Sequence, residues 1–142
     1  MTEKIVIIGG GQASVSCASQ LRSIGFNCEI SIICEEDSYP YQRPPLSKKF
    51  LTEHISADRL LLKKMDYYKS NNIQVFLSNK AIKIDRENKK IHLQNGEKIY
   101  YTKLVIATGS RAKKLPLDYR GNYSNIFYLR NLRDAQNFKN LL

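Results

Sequence analysis

Residues 5–14 have the sequence IVIIGGGQAS, in which a short apolar run leads into three glycines and then into a segment with helical spacing. This order of strand, glycine turn and helix is typical of a site that binds a pyrophosphate. Gly9 permits a tight turn and Gly11 lets the backbone approach the phosphates, while the helix N-terminus offers unpaired N–H groups. Ser14 stands where the motif normally has Gly or Ala. A glycine cluster can also form only a tight turn, so the assignment of a pyrophosphate site depends on the other segments of the chain.

The residues around this turn have the pattern of one βαβ unit of about the usual length. A strand is predicted over Lys4–Ile8. A helix is predicted over Gln12–Ile24, where apolar residues recur at helical spacing, and Gly25 ends it. A second strand is predicted over Glu29–Cys34.

The remainder of the chain combines short α/β elements with an antiparallel insertion. Alternating apolar residues on both sides of Asn95-Gly96 predict a hairpin within a small antiparallel meander. The fully apolar run Leu104–Ala107 predicts a central strand. The other predicted elements are short helices near Ser47, over Asp66–Asn71 and from Leu132, and strands at Leu60–Leu62, Ile73–Leu77 and Ile126–Leu129. The predicted fold class is therefore α/β, with a Rossmann-like parallel sheet, helices and an inserted β-meander.

Length and composition favour one globular domain without a membrane span. A chain of 142 residues can enclose one core, and no apolar run approaches the ~18 residues of a transmembrane helix. No signal-peptide pattern is visible, so we expect a cytoplasmic protein. The three cysteines have neither disulfide-framework nor zinc-site spacing, so no metal site is predicted. The net charge of +10 comes from lysines spread along the chain, which favours a solvated surface over specific nucleic-acid binding.

An acidic residue follows the second predicted strand. Glu35 lies where a carboxylate can accept hydrogen bonds from both hydroxyls of an adenosine ribose. The same carboxylate would repel a 2′-phosphate, so the ligand is predicted to carry an unphosphorylated adenosine, as FAD and NAD do. The alternative is an acidic surface residue at a strand end.

Two further segments carry suitable chemistry, but their residues alone do not decide their role. Arg43-Pro44-Pro45-Leu46-Ser47-Lys48 is a stiff loop with two cations. It could hold a ring system and a phosphate, or it could be a rigid surface loop. Thr108-Gly109 ends an apolar strand and would bring the backbone near a ligand beside the first glycine turn.

Taken in order, these segments resemble the N-terminal part of the FAD-dependent ferredoxin reductases. This family includes the putidaredoxin, rubredoxin and oxygenase-coupled reductases and shares the glutathione-reductase fold. The Pro-Pro-Leu-Ser-Lys segment is the specific part of the resemblance, because plain NAD-binding domains lack it. The resemblance covers essentially the whole chain. Its matching segments are residues 5–13, Glu35 and residues 43–48, 104–110 and 128–130.

The resemblance implies which residues bind the adenosine and pyrophosphate of FAD. The pyrophosphate would be wrapped by Gly9, Gly11, Gln12, Ala13 and Ser14. Glu35 would hold the adenosine ribose, and Ala81 would meet the adenine through its backbone. The residues that would close over the cofactor are Thr108, Gly109 and Arg130.

The resemblance also places residues 43–48, which we call the proline loop, beside the flavin. Arg43 and Lys48 would lie by the pyrophosphate and the flavin ring, with Pro45 near the isoalloxazine. Lys48 would in addition stabilise negative charge on the reduced flavin, which makes it the catalytic candidate.

The activity implied by the resemblance needs more than this chain. Family members pass a hydride from NAD(P)H to FAD and then single electrons to an iron–sulfur protein of the ferredoxin or rubredoxin type. Residues 1–115 would be the N-terminal portion of the FAD-binding domain, and residues 116–142 a linker towards an NAD(P)-binding domain. Family members are roughly three times longer and carry a second glycine fingerprint, which this sequence lacks. We therefore expect the chain alone to be incomplete, and an exposed half-built core could promote self-association.

Two other functions stay open from the residues. The glycine turn and Glu35 would suffice for a non-catalytic module that binds FAD or NAD. The basic charge would suit a nucleic-acid-associated protein, although no nucleic-acid-binding signature supports that function.

Overall fold

The structure, a computed structural model, describes residues 3–53, 55–115 and 126–141. The chain divides into two compact units. The first, which we call the sheet unit, comprises Met1–Tyr41 and Leu61–Gly109. The second, which we call the loop unit, comprises Gln42–Leu60 and Ser110–Leu142.

Short strands and helices alternate along the described residues. The strands are β1 (Lys4–Ile8), β2 (Glu29–Ile33), β3 (Ile73–Phe76), β4 (Ala81–Asp85), β5 (Lys90–Leu93), β6 (Lys98–Tyr100) and β7 (Lys103–Ile106). The helices are α1 (Gln12–Ser23), α2 (Lys49–Thr52), α3 (Met65–Ser70) and α4 (Leu132–Lys139), with 3₁₀ turns over Pro44–Ser47 and Ala57–Leu60. Within the described ranges, none of these helices combines the length and apolarity needed to span a bilayer.

A parallel sheet in the order β3-β2-β1-β7 forms the centre of the sheet unit. β1 pairs with β2 from Lys4–Glu29 to Ile8–Ile33, so the two strands end at the same edge. Every residue of β1 after Lys4 is apolar and buried, as expected for a strand covered on both faces. The glycine turn leaves this sheet at the carboxyl edge, where ligands of open α/β sheets bind.

Helices cover one face of the sheet and the antiparallel meander covers the other. Ile7 packs on the helical side with Ala18 of α1 and Tyr68 of α3. Val6 packs on the opposite side with Ile91 of the meander. This alternation follows from the two-residue period of a strand. The predicted α/β class, with a parallel sheet, helices and an inserted β-meander, is confirmed.

The meander pairs β4, β5 and β6 in sequence order. Gly96 has a φ of +89° and donates its N–H to the Leu93 carbonyl at 3.0 Å, which closes the turn between β5 and β6. Asn95 adds a side-chain hydrogen bond to the N–H of Glu97 at 3.0 Å. The hairpin predicted from Asn95-Gly96 is therefore confirmed.

In the loop unit, α4 packs against the proline loop. Asn131 and Asp134 form a reciprocal capping box that starts α4. At the other end, Lys139 Nζ donates to the carbonyl oxygens of Phe50 and Glu53, each at 2.9 Å, and lies over the Phe50 ring. The last turn of α4 thus hydrogen-bonds to carbonyls at the end of α2.

Three predicted strand features differ from the structure. β7 is not central, because among the described residues it pairs only with β1, and Ile106 is 64% exposed. Leu60–Leu62 is not a strand but a single antiparallel bridge between Leu61 and Tyr41. Ile126–Leu129 is not a strand either; Phe127 packs on a ring of α4 instead of joining a ladder.

Candidate dinucleotide-binding site

The turn after β1 requires glycine at its first position. Gly9 has a φ of +124°, a conformation that L side chains rarely adopt. A Cβ built there would overlap the carbonyl oxygen of Ala107, which is backbone and has no room to yield. The Gly9 N–H donates to the Ile33 carbonyl at 2.9 Å. The turn is therefore held between the end of β2 and the residue that follows β7.

Gly11 lies next to open space at the start of α1. It is the N-cap of the helix with extended backbone angles, and no side chain caps the N-terminus. A Cβ built on it would have no heavy atom within 4 Å, so protein packing does not demand glycine here. The first helical bond runs from the Val15 N–H to the Gly11 carbonyl at 3.3 Å. The N–H groups before it have no intrahelical acceptor, which makes this end of α1 suited to an anion.

Ser14 supports the turn through its side chain. Its side chain is fully buried, and its hydroxyl donates to the Gly9 carbonyl at 2.5 Å. The hydroxyl is thus engaged inside the protein, while the backbone N–H belongs to the first turn of α1. The departure from Gly or Ala at this position gives the turn an extra hydrogen bond.

Gly10 packs tightly on Cys34. A Cβ built on Gly10 would be 2.8 Å from the Cys34 Sγ and 3.0 Å from its Cβ. Burial, together with the nearby charge of Glu36, raises the pKa of the Cys34 thiol to about 12. The thiol is therefore neutral and serves as a small packing group beneath the turn.

The acidic residue after β2 is paired. Glu35 Oε1 lies 3.0 Å from Lys80 Nζ, and both side chains are partly exposed to solvent. Lys80 immediately precedes Ala81, the first residue of β4. The structure thus brings the predicted ribose residue and the predicted adenine residue to neighbouring positions in the sheet unit.

The Thr108-Gly109 segment lies beside the glycine turn. The Ala107 N–H donates to the Ile8 carbonyl at 2.8 Å, which continues the pairing of β7 with β1. A Cβ on Gly9 would be 3.1 Å from the Thr108 nitrogen. Gly109 then turns the chain away with a φ of +68°. Thr108 therefore lies close to the turn, as its position after an apolar strand predicts.

The remaining predicted site residues belong to the loop unit. Arg43 Nη1 donates to the Arg130 carbonyl at 3.1 Å, and Arg130 Nε donates to the Ser110 carbonyl at 2.8 Å. An open cavity of about 280 Å³ lies beside these two arginines. Its lining residues are Arg43, Pro44, Leu46, Ser47, Leu129 and Arg130. Two guanidinium groups at one cavity suit an anionic ligand.

Lys48 lies at the junction between the 3₁₀ turn and α2. Its N–H donates to the Pro45 carbonyl at 3.0 Å, and its carbonyl accepts from the N–H of Leu51 at 2.9 Å. The side chain is exposed. The backbone of the predicted catalytic residue is therefore fixed, whereas its ammonium group is accessible.

Sequence reasoning missed the residues that support the site. Cys34 and Lys80 contact Gly10 and Glu35, yet neither belongs to a motif. Only Lys80 had a local signal, because it directly precedes a residue already predicted to meet the adenine. Within the described ranges, no group of His, Cys, Asp or Glu residues is arranged to hold a metal ion.

Comparison with known proteins identifies the class of protein that has this fold and site. Residues 3–142 match the family model for pyridine nucleotide-disulphide oxidoreductase, and the chain belongs to this family. Family membership implies a site for a flavin of the FAD type. The open space at Gly11 and the uncapped start of α1 fit the pyrophosphate of such a group.

Two relatives within the family are named as reductases that act with rubredoxin. The chain is 38% identical over 138 residues to a rubredoxin-NAD(+) reductase of Pseudomonas putida, covering 97% of this chain and 36% of that protein. It is 40% identical over 136 residues to an NADH-rubredoxin oxidoreductase of Clostridium acetobutylicum, covering 96% and 34%. The resemblance to ferredoxin-type reductases is confirmed.

A solved structure shows the same fold. The reductase in a covalent putidaredoxin reductase–putidaredoxin complex matches with a TM-score of 0.90 and 33% identity, covering 98% of this chain and 34% of that one. The chain thus spans about a third of the length of the relatives that it matches.

Proposed function

We propose that this chain is the FAD-binding portion of an oxidoreductase that passes electrons from NAD(P)H through FAD to a ferredoxin- or rubredoxin-type iron–sulfur protein. The observation that carries the proposal is the turn at Gly9–Gly11. Packing demands glycine at Gly9, but at Gly11 glycine leaves open space in front of an uncapped helix N-terminus. The proposed electron transfer is supported by relatives that are named rubredoxin-NAD(+) reductase and putidaredoxin reductase.

In this proposal the sheet unit binds the adenosine diphosphate part of FAD. The backbone N–H groups of Gln12, Ala13 and Ser14 bind the pyrophosphate, helped by Gly9 and Gly11. Glu35 accepts the ribose hydroxyls, and Ala81 meets the adenine through its backbone. Thr108 and Gly109 border the same turn. Fixed N–H donors bind an anion without reorganisation, which is why a backbone cradle suits a pyrophosphate.

The loop unit would contact the flavin side of the cofactor. Arg43 and Arg130 bind negative charge, Pro45 packs near the ring, and Lys48 places a positive charge beside it. When bound, the flavin supplies the redox chemistry, accepting a hydride and releasing electrons singly. Lys48 would act electrostatically by favouring the negative charge that reduction adds.

We also propose the domain division predicted from the sequence, with residues 1–115 in the FAD-binding domain and residues 116–142 leading towards an NAD(P)-binding domain. Contacts within the loop unit add a role for the tail, because Lys139 and Arg130 hold the loop that carries Lys48. A cytoplasmic location stays a prediction.

The test is the absorption spectrum and FAD affinity of the purified chain. We expect a yellow protein with bound FAD. Gly11→Ala should abolish binding while leaving the fold intact, since its Cβ would enter only open space in the free protein. Wild-type affinity in Gly11→Ala would contradict the proposed cradle.

A second measurement separates this function from a non-catalytic nucleotide-binding module. Lys48→Ala should weaken flavin binding, whereas the neighbouring exposed Lys49→Ala should not. Equal affinities for both variants would favour the module. The chain alone should not turn over NADH, and steady NADH oxidation with ferricyanide would contradict the expectation that it is incomplete.

A further inference from the structure

The ion pair between Glu35 and Lys80 lies at the edge of the sheet where a nucleotide would bind. Lys80 Nζ is 3.0 Å from Glu35 Oε1. The side chains are 40% and 53% exposed respectively, so a ligand can reach both. A carboxylate has two oxygens with about four lone-pair positions, so it can accept from an ammonium and from a ribose hydroxyl at the same time.

Backbone hydrogen bonds hold this pair in place. The Asn79 N–H donates to the Cys34 carbonyl at 2.8 Å, and the Ser78 N–H donates to the Glu36 carbonyl at 3.0 Å. The Lys80 carbonyl accepts from the Gln94 N–H at 2.8 Å. The segment that carries Lys80 therefore runs along the end of β2 and is anchored to the meander.

We propose that Glu35 and Lys80 together determine which adenosine ribose this site accepts. Glu35 selects an unphosphorylated ribose, and it also neutralises a lysine that would otherwise bind a 2′-phosphate. The inference rests on the proposed function, since it takes the glycine turn to bind an adenosine dinucleotide. It goes further by assigning a specificity role to Lys80.

The physical basis is the sign of the charge beside the ribose. A phosphate monoester carries about −1.5 to −2 charges at pH 7. The carboxylate of Glu35 repels it, and the paired ammonium of Lys80 has its positive charge offset. Glu35→Gln removes the repulsion and leaves the ammonium free to make charge-assisted hydrogen bonds. A single substitution therefore converts a net-neutral pair into a net positive charge beside the ribose.

The experiment measures the ratio of two affinities on the full 142-residue chain after bound nucleotide has been removed. The probes are ADP-ribose and 2′-phospho-ADP-ribose, which differ only in the 2′-phosphate. Wild type should prefer ADP-ribose. Glu35→Gln should shift the ratio by about 10- to 100-fold towards the phosphorylated probe, as expected for one or two charged hydrogen bonds. The shift should shrink as salt is raised.

Two variants assign the shift to Lys80. In Glu35→Gln combined with Lys80→Met, the gain for the phosphorylated probe should shrink to the part that comes from removing the repulsion by the Glu35 carboxylate. Lys4→Met is the matched control, because this substitution also removes one lysine charge from an ion pair. Lys4 pairs with Glu29 at 3.3 Å, at the amino ends of β1 and β2. Combined with Glu35→Gln, Lys4→Met should leave the shifted ratio unchanged.

The outcomes separate the inference from the proposed function. A gain that Lys80→Met leaves undiminished, or no shift in Glu35→Gln, would overturn the role of Lys80 while leaving FAD binding in place. If wild type binds neither FAD nor ADP-ribose, the proposed function is overturned and the inference with it. Thermal unfolding of each variant checks that these partly exposed substitutions leave the fold intact.

Discussion

The contact between Gly10 and Cys34 predicts a graded rescue in a series of double variants. A Cβ at position 10 would lie 2.8 Å from the Cys34 Sγ, 3.0 Å from its Cβ and 3.6 Å from its Cα. The first distance is a clash, the second is tight, and the third is ordinary van der Waals contact. Gly10→Ala should therefore be tolerated progressively better as Cys34 is changed to Ala and then to Gly.

The magnitude follows from the cost of overpacking. Gly10→Ala alone should lower the free energy of unfolding by about 1–3 kcal/mol, because Cys34 is fully buried and cannot move aside. Cys34→Ala alone should cost roughly 1 kcal/mol for the lost packing of its sulfur. In the double variant the clash is mostly gone, so the two costs should not add. The coupling energy should be about 0.5–2 kcal/mol in the favourable direction.

Urea unfolding of the full chain measures this coupling directly. The midpoint should fall in Gly10→Ala and recover partly in the double variant with Cys34→Ala, at constant m-value. The favourable coupling energy should be larger with Cys34→Gly, because the contact with the Cys34 Cβ is also removed. The glycine itself costs roughly 0.5–1 kcal/mol in extended backbone, and this cost is measured in the Cys34→Gly single variant. Gly9→Ala is the control, because its obstacle is the backbone carbonyl of Ala107 and no change at Cys34 should rescue it. Strictly additive costs for Gly10 and Cys34 would refute the reasoning.

Three shorter predictions concern stability. Lys139→Met should lower stability by about 1–3 kcal/mol, because it removes two charged hydrogen bonds, including that to Phe50, and amide exchange around Phe50 should accelerate. Tyr68→Phe should be neutral or stabilising by up to about 1 kcal/mol in thermal unfolding, because the buried hydroxyl has no hydrogen-bond partner among the described residues. The Asn88 backbone N–H, with other hydrogen bonds, lowers the pKa of Asp85 from 3.8 to about 2. The ionised form therefore stabilises the fold above about pH 4, and the stability gap between wild type and Asp85→Asn should close as the pH falls through about 2.

Sequence patterns predicted the elements whose conformation is set locally. β1 has the predicted bounds, because its apolar run is bordered by a lysine and a glycine turn. The bounds of α1 differ from the prediction by one residue at the end. The hairpin at Asn95-Gly96 formed because its glycine adopts the positive φ that such a turn requires.

Contacts between distant segments could not be predicted in the same way. Arg43 donates to the backbone carbonyl of Arg130, and Lys139 donates to the backbone carbonyl of Glu53. Any residue offers a carbonyl, so no residue type marks the acceptor in the sequence. The grouping of the proline loop with the tail is visible only in the structure.

The position of β7 shows what an apolar run does and does not specify. The run at Leu104–Ala107 predicts a strand because its residues favour extended backbone and burial on both faces. It does not state which neighbours provide that burial. Among the described residues only β1 pairs with β7, and Ile106 stays 64% exposed although its run is fully apolar. The same run nevertheless fixes the site, because its pairing with β1 brings the Ala107 carbonyl against Gly9 and so makes glycine obligatory in the turn.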